Sequence, residues 1–228
     1  MLELIKKSFT CSFRTFDSKS EEAFLIILRL LTIFAIIYNT FNLNIVRILA
    51  SLSLIGITFI PLLIKRLFKI NFNYEPVAIC LVFSYCAIFI GTVLGGYGSL
   101  KRWDTFMHSI SGVIFMILFL MLLFVVFHRY KAVQVPLWVY FIFAFALSMT
   151  IGAIWEIYEF AIDQFFGMNT QHAIDTGVFD TMKDIVCNTT GALASSFIFY
   201  KSLKTKRFKA IYNMFYSFCK LNNMNLPK

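Results

Sequence analysis

Residues 104–127 read Asp104-Thr-Phe-Met-His108-Ser-Ile-Ser-Gly112-Val-Ile-Phe-Met-Ile-Leu-Phe-Leu-Met-Leu-Leu-Phe-Val-Val-Phe127. From Ser109 onward the run carries no charge. An α-helix needs about 20 predominantly apolar residues to cross the hydrocarbon core of a bilayer. This stretch meets that requirement, and it also carries an acid and a histidine four residues apart at its polar end. Asp104 and His108 share one helix face. The fold and the chemistry of the chain can both be read outward from this segment.

Six segments of this kind occur, at roughly 22–41, 44–64, 76–96, 104–127, 136–163 and 180–200. Pro76 and Pro136 open the third and fifth, where a missing N–H is tolerated. The composition agrees. Of 228 residues, 59% are hydrophobic and 14% charged, against about 25% charged in an ordinary soluble domain. A soluble enzyme, a disordered chain and a disulfide-rich secreted scaffold are all excluded. The expected fold is all-α: a polytopic membrane bundle of about six transmembrane helices. Its parts are an N-terminal cytoplasmic segment (1–21), a membrane domain (22–200) and a basic tail (201–228). In the tail, Phe208, Ile211, Tyr212, Phe215 and Phe218 recur at helical spacing beside Lys201, Lys204, Lys206, Arg207 and Lys209. That pattern predicts an amphipathic interfacial helix on anionic lipid at the cytoplasmic face.

The net charge of +9 reports orientation rather than a nucleic-acid partner. Sixteen Lys and Arg residues fall in the N-terminal segment, the 65–75 and 128–135 loops and the tail. Only Lys101 and Arg102 fall in the loops opposite. By the positive-inside rule the protein is a multi-pass cell-membrane protein with both termini cytoplasmic. The first apolar run lacks a small-x-small cleavage site, so it is expected to stay as a span. The five cysteines form no C-x-x-C pair, and neither a disulfide framework nor a zinc ribbon is indicated.

The acids follow the opposite distribution. Seven of the twelve lie between 104 and 184, and the expected topology puts them all toward the outer face. Glu156, Glu159 and Asp163 step by three and four along the fifth segment. Asp180, Asp184 and Asn188 step by four along the sixth. His108, Glu159 and Asp184 then lie about 6 Å below their helix ends, and Glu156 and Asn188 about 10–12 Å. Carboxylates at such depth are costly unless they face one another, a cation or water. One shared, outward-facing pocket formed by the fourth to sixth segments is the economical solution. Gly112, Gly191 and the nearby Gly152 and Ala192 allow those helices to pack closely, with Asn188 as polar support.

Carboxylates and a histidine on facing helices match helix-bundle metal sites in ligand type. Candidate ligands for a divalent ion are Asp104, His108, Glu156, Glu159, Asp180 and Asp184. Candidate catalytic groups are Glu156, Glu159 and Asp184. Three functions compete. One is a metal-dependent enzyme acting on a lipid or envelope precursor, the second an ion-coupled transporter, and the third a structural or regulatory protein whose polar residues hold helices together.

The order Asp104-x-x-x-His108-x-x-x-Gly112, Glu156-x-x-Glu159 and Asp180-Thr181-x-x-Asp184-x-x-x-Asn188-x-x-Gly191-Ala192 resembles the bacterial YjdF-type inner-membrane proteins over about residues 76–200. That family implies a membrane location and no particular reaction. A looser likeness runs to VanZ-like proteins, linked to glycopeptide-antibiotic resistance, through Asp-x-x-x-His and the final Asp184-x-x-x-Asn188-x-x-Gly191. The chain departs from them where Glu-x-x-Gln and a nearby arginine are expected. It has Glu156-x-x-Glu159 and no arginine between 130 and 206. The resistance role is therefore not carried over.

Overall fold

The computed structural model describes residues 18–130 and 135–225. Most of the expected N-terminal segment, including Lys6, Lys7 and Arg14, lies outside the described residues, as does Lys131. Every element among the described residues is helical. The chain forms two compact units that divide after Ser99.

The first unit holds α1 (Lys19–Phe41), α2 (Ile45–Phe68), α3 (Tyr74–Val93) and the short α4 (Gly96–Ser99). Leu25 of α1 and Val77 and Leu81 of α3 form its apolar centre. Arg29 lies near the middle of α1, where a lone charge would be expensive. Its Nε donates to Thr58 Oγ1 (3.0 Å) and its Nη2 to the Thr58 carbonyl (3.2 Å), and its guanidinium stacks on Phe59 at 4.1 Å. The second half of α3, from Tyr85, widens into π-helical winding. Gly91 leaves room there for Tyr97 of α4. A Cβ at Gly91 would strike the Tyr97 ring, and Gly95 is needed for its left-handed turn (φ +79°).

The second unit holds α5 (Trp103–Arg129), α6 (Leu137–Phe166), α7 (Ala173–Thr176), α8 (Phe179–Thr205) and α9 (Lys209–Leu221). Local chemistry sets the ends of its long helices. Asp104 sits in the first turn of α5 and His128 and Arg129 in its last turn, each complementing the helix dipole. Gly167 ends α6 in the left-handed conformation (φ 62°). The 30 residues of α6 span about 45 Å, more than a bilayer core, so α6 tilts or projects.

Among the described residues, five helices are long and apolar enough to cross a membrane: α1, α2, α3, α5 and α6. The sixth expected span, α8, has the length, with 27 residues, but not the apolar composition. Its buried face is Asp180, Asp184, Asn188, Ala192, Ser195, Phe199 and Ser202, stepping by three and four. Its exposed face carries Val186, Leu193 and Phe197. The helix is polar inward and apolar outward, the reverse of a helix on a soluble protein.

The expected amphipathic tail helix is present as α9 (Lys209–Leu221). Its apolar face is turned into the protein. Phe215 and Phe218 are completely buried and Cys219 nearly so. The Phe215 ring meets Phe124 of α5 edge to face, with centroids 4.7 Å apart. Ser202 of α8 donates to the Phe208 carbonyl (3.1 Å) and fixes the entry into α9. A docked aromatic buries large area with specific geometry, which competes with lipid for the same face. Burial also pushes the Cys219 thiol up to about 12, so it should resist alkylation. Phe215→Ala is therefore expected to cost about 3 kcal/mol or more and to make Cys219 reactive toward maleimide at pH 8. Tyr216→Ala, on the exposed side of α9, should do neither.

Candidate metal centre

Close backbone contact between α5 and α8 builds the site. A Cβ at Gly112 would fall on the Asn188 carbonyl oxygen, and one at Gly191 would fall on the Ser109 carbonyl oxygen. Only glycine permits that approach. On α6, a Cβ at Gly152 would lie 2.8 Å from Asn188 Oδ1. The fully buried Asn188 is thus wedged among three helices. Its Nδ2 donates to Ser111 Oγ (2.9 Å), and Ser111 Oγ donates to the His108 carbonyl (2.7 Å). Ser148 of α6 donates to the Gly112 carbonyl (3.1 Å).

One helical turn further toward the N-termini of α5 and α8, the charged residues meet. His108 is 6% exposed and faces carboxylates with both ring nitrogens. Nε2 lies 3.4 Å from Asp104 Oδ1, and Nδ1 lies 3.8 Å from Glu156 Oε1. Asp104, His108 and Asp184 each offer a ligand atom within 4.8 Å of the others. Ligand atoms so close can converge on one divalent ion by side-chain rotation, and this donor set of one imidazole and two carboxylates suits Zn or Mn.

Two further carboxylate features mark this cluster. Glu156 is 4% exposed and neither of its oxygens has a hydrogen-bond partner. Asp184, 2% exposed, leaves Oδ1 without one. Buried carboxylates are normally paired or bound to metal, because leaving them bare is costly.

The six candidate ligands do not all converge. Asp104, His108 and Asp184 form the cluster, with Glu156 against the far side of the imidazole. Glu159 is half-buried and accepts a hydrogen bond from Trp155 Nε1 (2.8 Å). Asp180 is paired with Lys183, whose Nζ also lies 3.7 Å from Asp184 Oδ1. Asp163, on the same face of α6 by spacing, closes a loop instead. Its carboxylate accepts from Thr170 N (2.6 Å), Thr170 Oγ1 (2.6 Å) and Gln171 N (3.0 Å).

Two supporting residues escape a reading of the sequence alone. Ser111 stands three residues after His108, a spacing that could have flagged it. Gln171 is buried in the loop after α6, and its Nε2 donates to the Glu156 carbonyl (3.2 Å) and to Thr181 Oγ1 (3.0 Å). Nothing in the local sequence marks that loop glutamine as a tie between α6 and α8.

No curated protein and no solved structure matches this chain. The family described as predicted membrane protein (DUF2238) matches residues 22–205, from the first turn of α1 to the last residue of α8. With most of its length matched, the chain belongs to this family of predicted membrane proteins.

Proposed function

We propose that the protein binds a divalent metal ion through Asp104, His108 and Asp184 and uses it in chemistry on a lipid or envelope precursor at the outer leaflet of the cell membrane. The observation that carries this reading is the triad, with ligand atoms within 4.8 Å of one another, beside the buried carboxylate of Glu156. An ion held there would polarise a phosphoryl or carbonyl oxygen and lower the pKa of water. Glu156 is buried next to His108 Nδ1, so it serves either to orient the imidazole or to accept a proton from an attacking water.

In this reading α8 is the sixth span, its polar stripe turned inward and its apolar side toward lipid. Residues 1–21 and 201–228 flank the membrane domain (22–200) on the cytoplasmic side, and the basic residues around the α8–α9 junction meet anionic lipid. The motif likeness to YjdF-type and, more loosely, VanZ-like proteins supports a place in the bacterial inner membrane. A purely structural role explains the Gly112–Asn188–Gly152 contact but gives no reason for gathering three buried or half-buried carboxylates around one imidazole.

Metal analysis of the full-length protein in mild detergent tests the proposal. We expect about one divalent ion per chain, lost in His108→Ala while helical circular dichroism is retained. A metal-free protein whose fold and cellular phenotype both survive Glu156→Gln and His108→Ala contradicts it.

A further inference from the structure

Beside the imidazole of His108, the ammonium of Lys183 lies within ion-pair distance of the site's carboxylates. It stands on α8 between Asp180 and Asp184, one residue before Asp184 and three after Asp180. Its ammonium contacts Asp180 Oδ1 and reaches to 3.7 Å from Asp184 Oδ1. That same Asp184 oxygen is buried and without a hydrogen bond, and Asp184 belongs to the triad. A tethered cation and the ligand set of the candidate ion therefore meet on one carboxylate.

We infer that Lys183 is a built-in competitor for the divalent ion: the ammonium and the metal are alternative counter-cations of Asp184. This rests on the metal reading of the triad. The geometry allows the exchange without disturbing the helix. The Lys183 side chain is 31% exposed and long, so its head can withdraw while its stem stays packed. Asp180 gives the displaced ammonium a carboxylate to remain on, one helical turn from Asp184. An ion on Asp184 would repel an ammonium held about 4 Å away, and in a site shielded from water that repulsion is large. Lys183 thus lowers the affinity of the site and keeps Asp184 compensated when no ion is bound. Without such a partner a carboxylate as buried as Asp184 would destabilise the bundle.

Mn²⁺ titration and thermal unfolding of full-length wild type, K183M and K183R in detergent test the inference. K183M should bind Mn²⁺ at least about tenfold more tightly than wild type, from the loss of the repelling charge. K183R keeps the charge and should stay near wild type. K183M should also melt below wild type in chelator, and Mn²⁺ should raise its melting temperature by more than it raises that of wild type. A K183M protein that folds only when Mn²⁺ is present makes the same point more strongly. If wild type binds Mn²⁺ through Asp184 but K183M binds it equally or more weakly, the competition is refuted and the metal reading stands. If neither wild type nor K183M binds Mn²⁺, both fall.

Discussion

Gly112→Ala is expected to destabilise the protein by about 3 kcal/mol, at the upper end for an overpacked core site, and Gly112→Leu is expected not to fold. The added Cβ would fall on the Asn188 carbonyl oxygen and lie 2.9 Å from Ala192 N. These are backbone atoms of a neighbouring helix, so no rotamer change can relieve the clash. Gly191→Ala should behave alike, because its Cβ would fall on the Ser109 carbonyl oxygen. Within a membrane, close van der Waals packing supplies much of what the hydrophobic effect supplies in water. Separating α5 from α8 therefore removes a principal source of cohesion in this unit. Gly56→Ala is the control. It lies inside α2 with nothing within 4 Å of the added Cβ, so it should be neutral or stabilising by up to about 1 kcal/mol. Unfolding in mixed micelles of increasing SDS content would read all four variants. The two α5–α8 glycine variants should also lose metal affinity, because the same contact holds Asp104 and His108 against Asp184.

Much of this arrangement is legible in the sequence. The spans at 104–127 and 136–163 differ from α5 and α6 by only one to three residues at each end. Asp104 and His108, and Asp184 and Asn188, share helix faces as their four-residue spacing requires. Spacing names a face, however, and says nothing of what stands opposite it. Glu156, Glu159 and Asp163 have equivalent spacing along α6, yet one faces His108, one faces Trp155 and one closes a loop. Loop 167–172 decides the last case, through the Thr170 hydroxyl and two backbone N–H groups whose direction depends on how the loop turns. The tail gives the same lesson. Phe215 and Phe218 at helical spacing announce an apolar face. Whether lipid or Phe124 covers that face depends on where the chain turns after Thr205.

The second large effect concerns metal affinity, and it should rank the acids by geometry rather than by charge. Asp184→Asn and His108→Ala remove ligands of the triad and should each weaken divalent-ion binding by more than about 100-fold. Glu156→Gln removes a group that contacts the imidazole from its far side, the position of an outer partner. It should cost about 10–100-fold. Glu159→Gln, tied to Trp155 outside the triad, should change affinity by no more than a few-fold, as a partly exposed charge acts through solvent. All four changes are nearly isosteric or reduce volume, so helical content serves as the check on folding. An inverted order, with Glu159 above Asp184, would mean that the ion sits nearer the end of α6 than the triad.

In the proposed function His108 binds a divalent ion together with Asp104 and Asp184. Pulsed electron paramagnetic resonance on the Mn²⁺-loaded protein tests it most directly, because the spectrum registers nitrogen bonded to the ion. Coupling to one imidazole nitrogen is expected in the wild type, absent in His108→Ala and retained in Glu159→Gln. Mn²⁺ that binds with no nitrogen coupling, or coupling that survives His108→Ala, would contradict it.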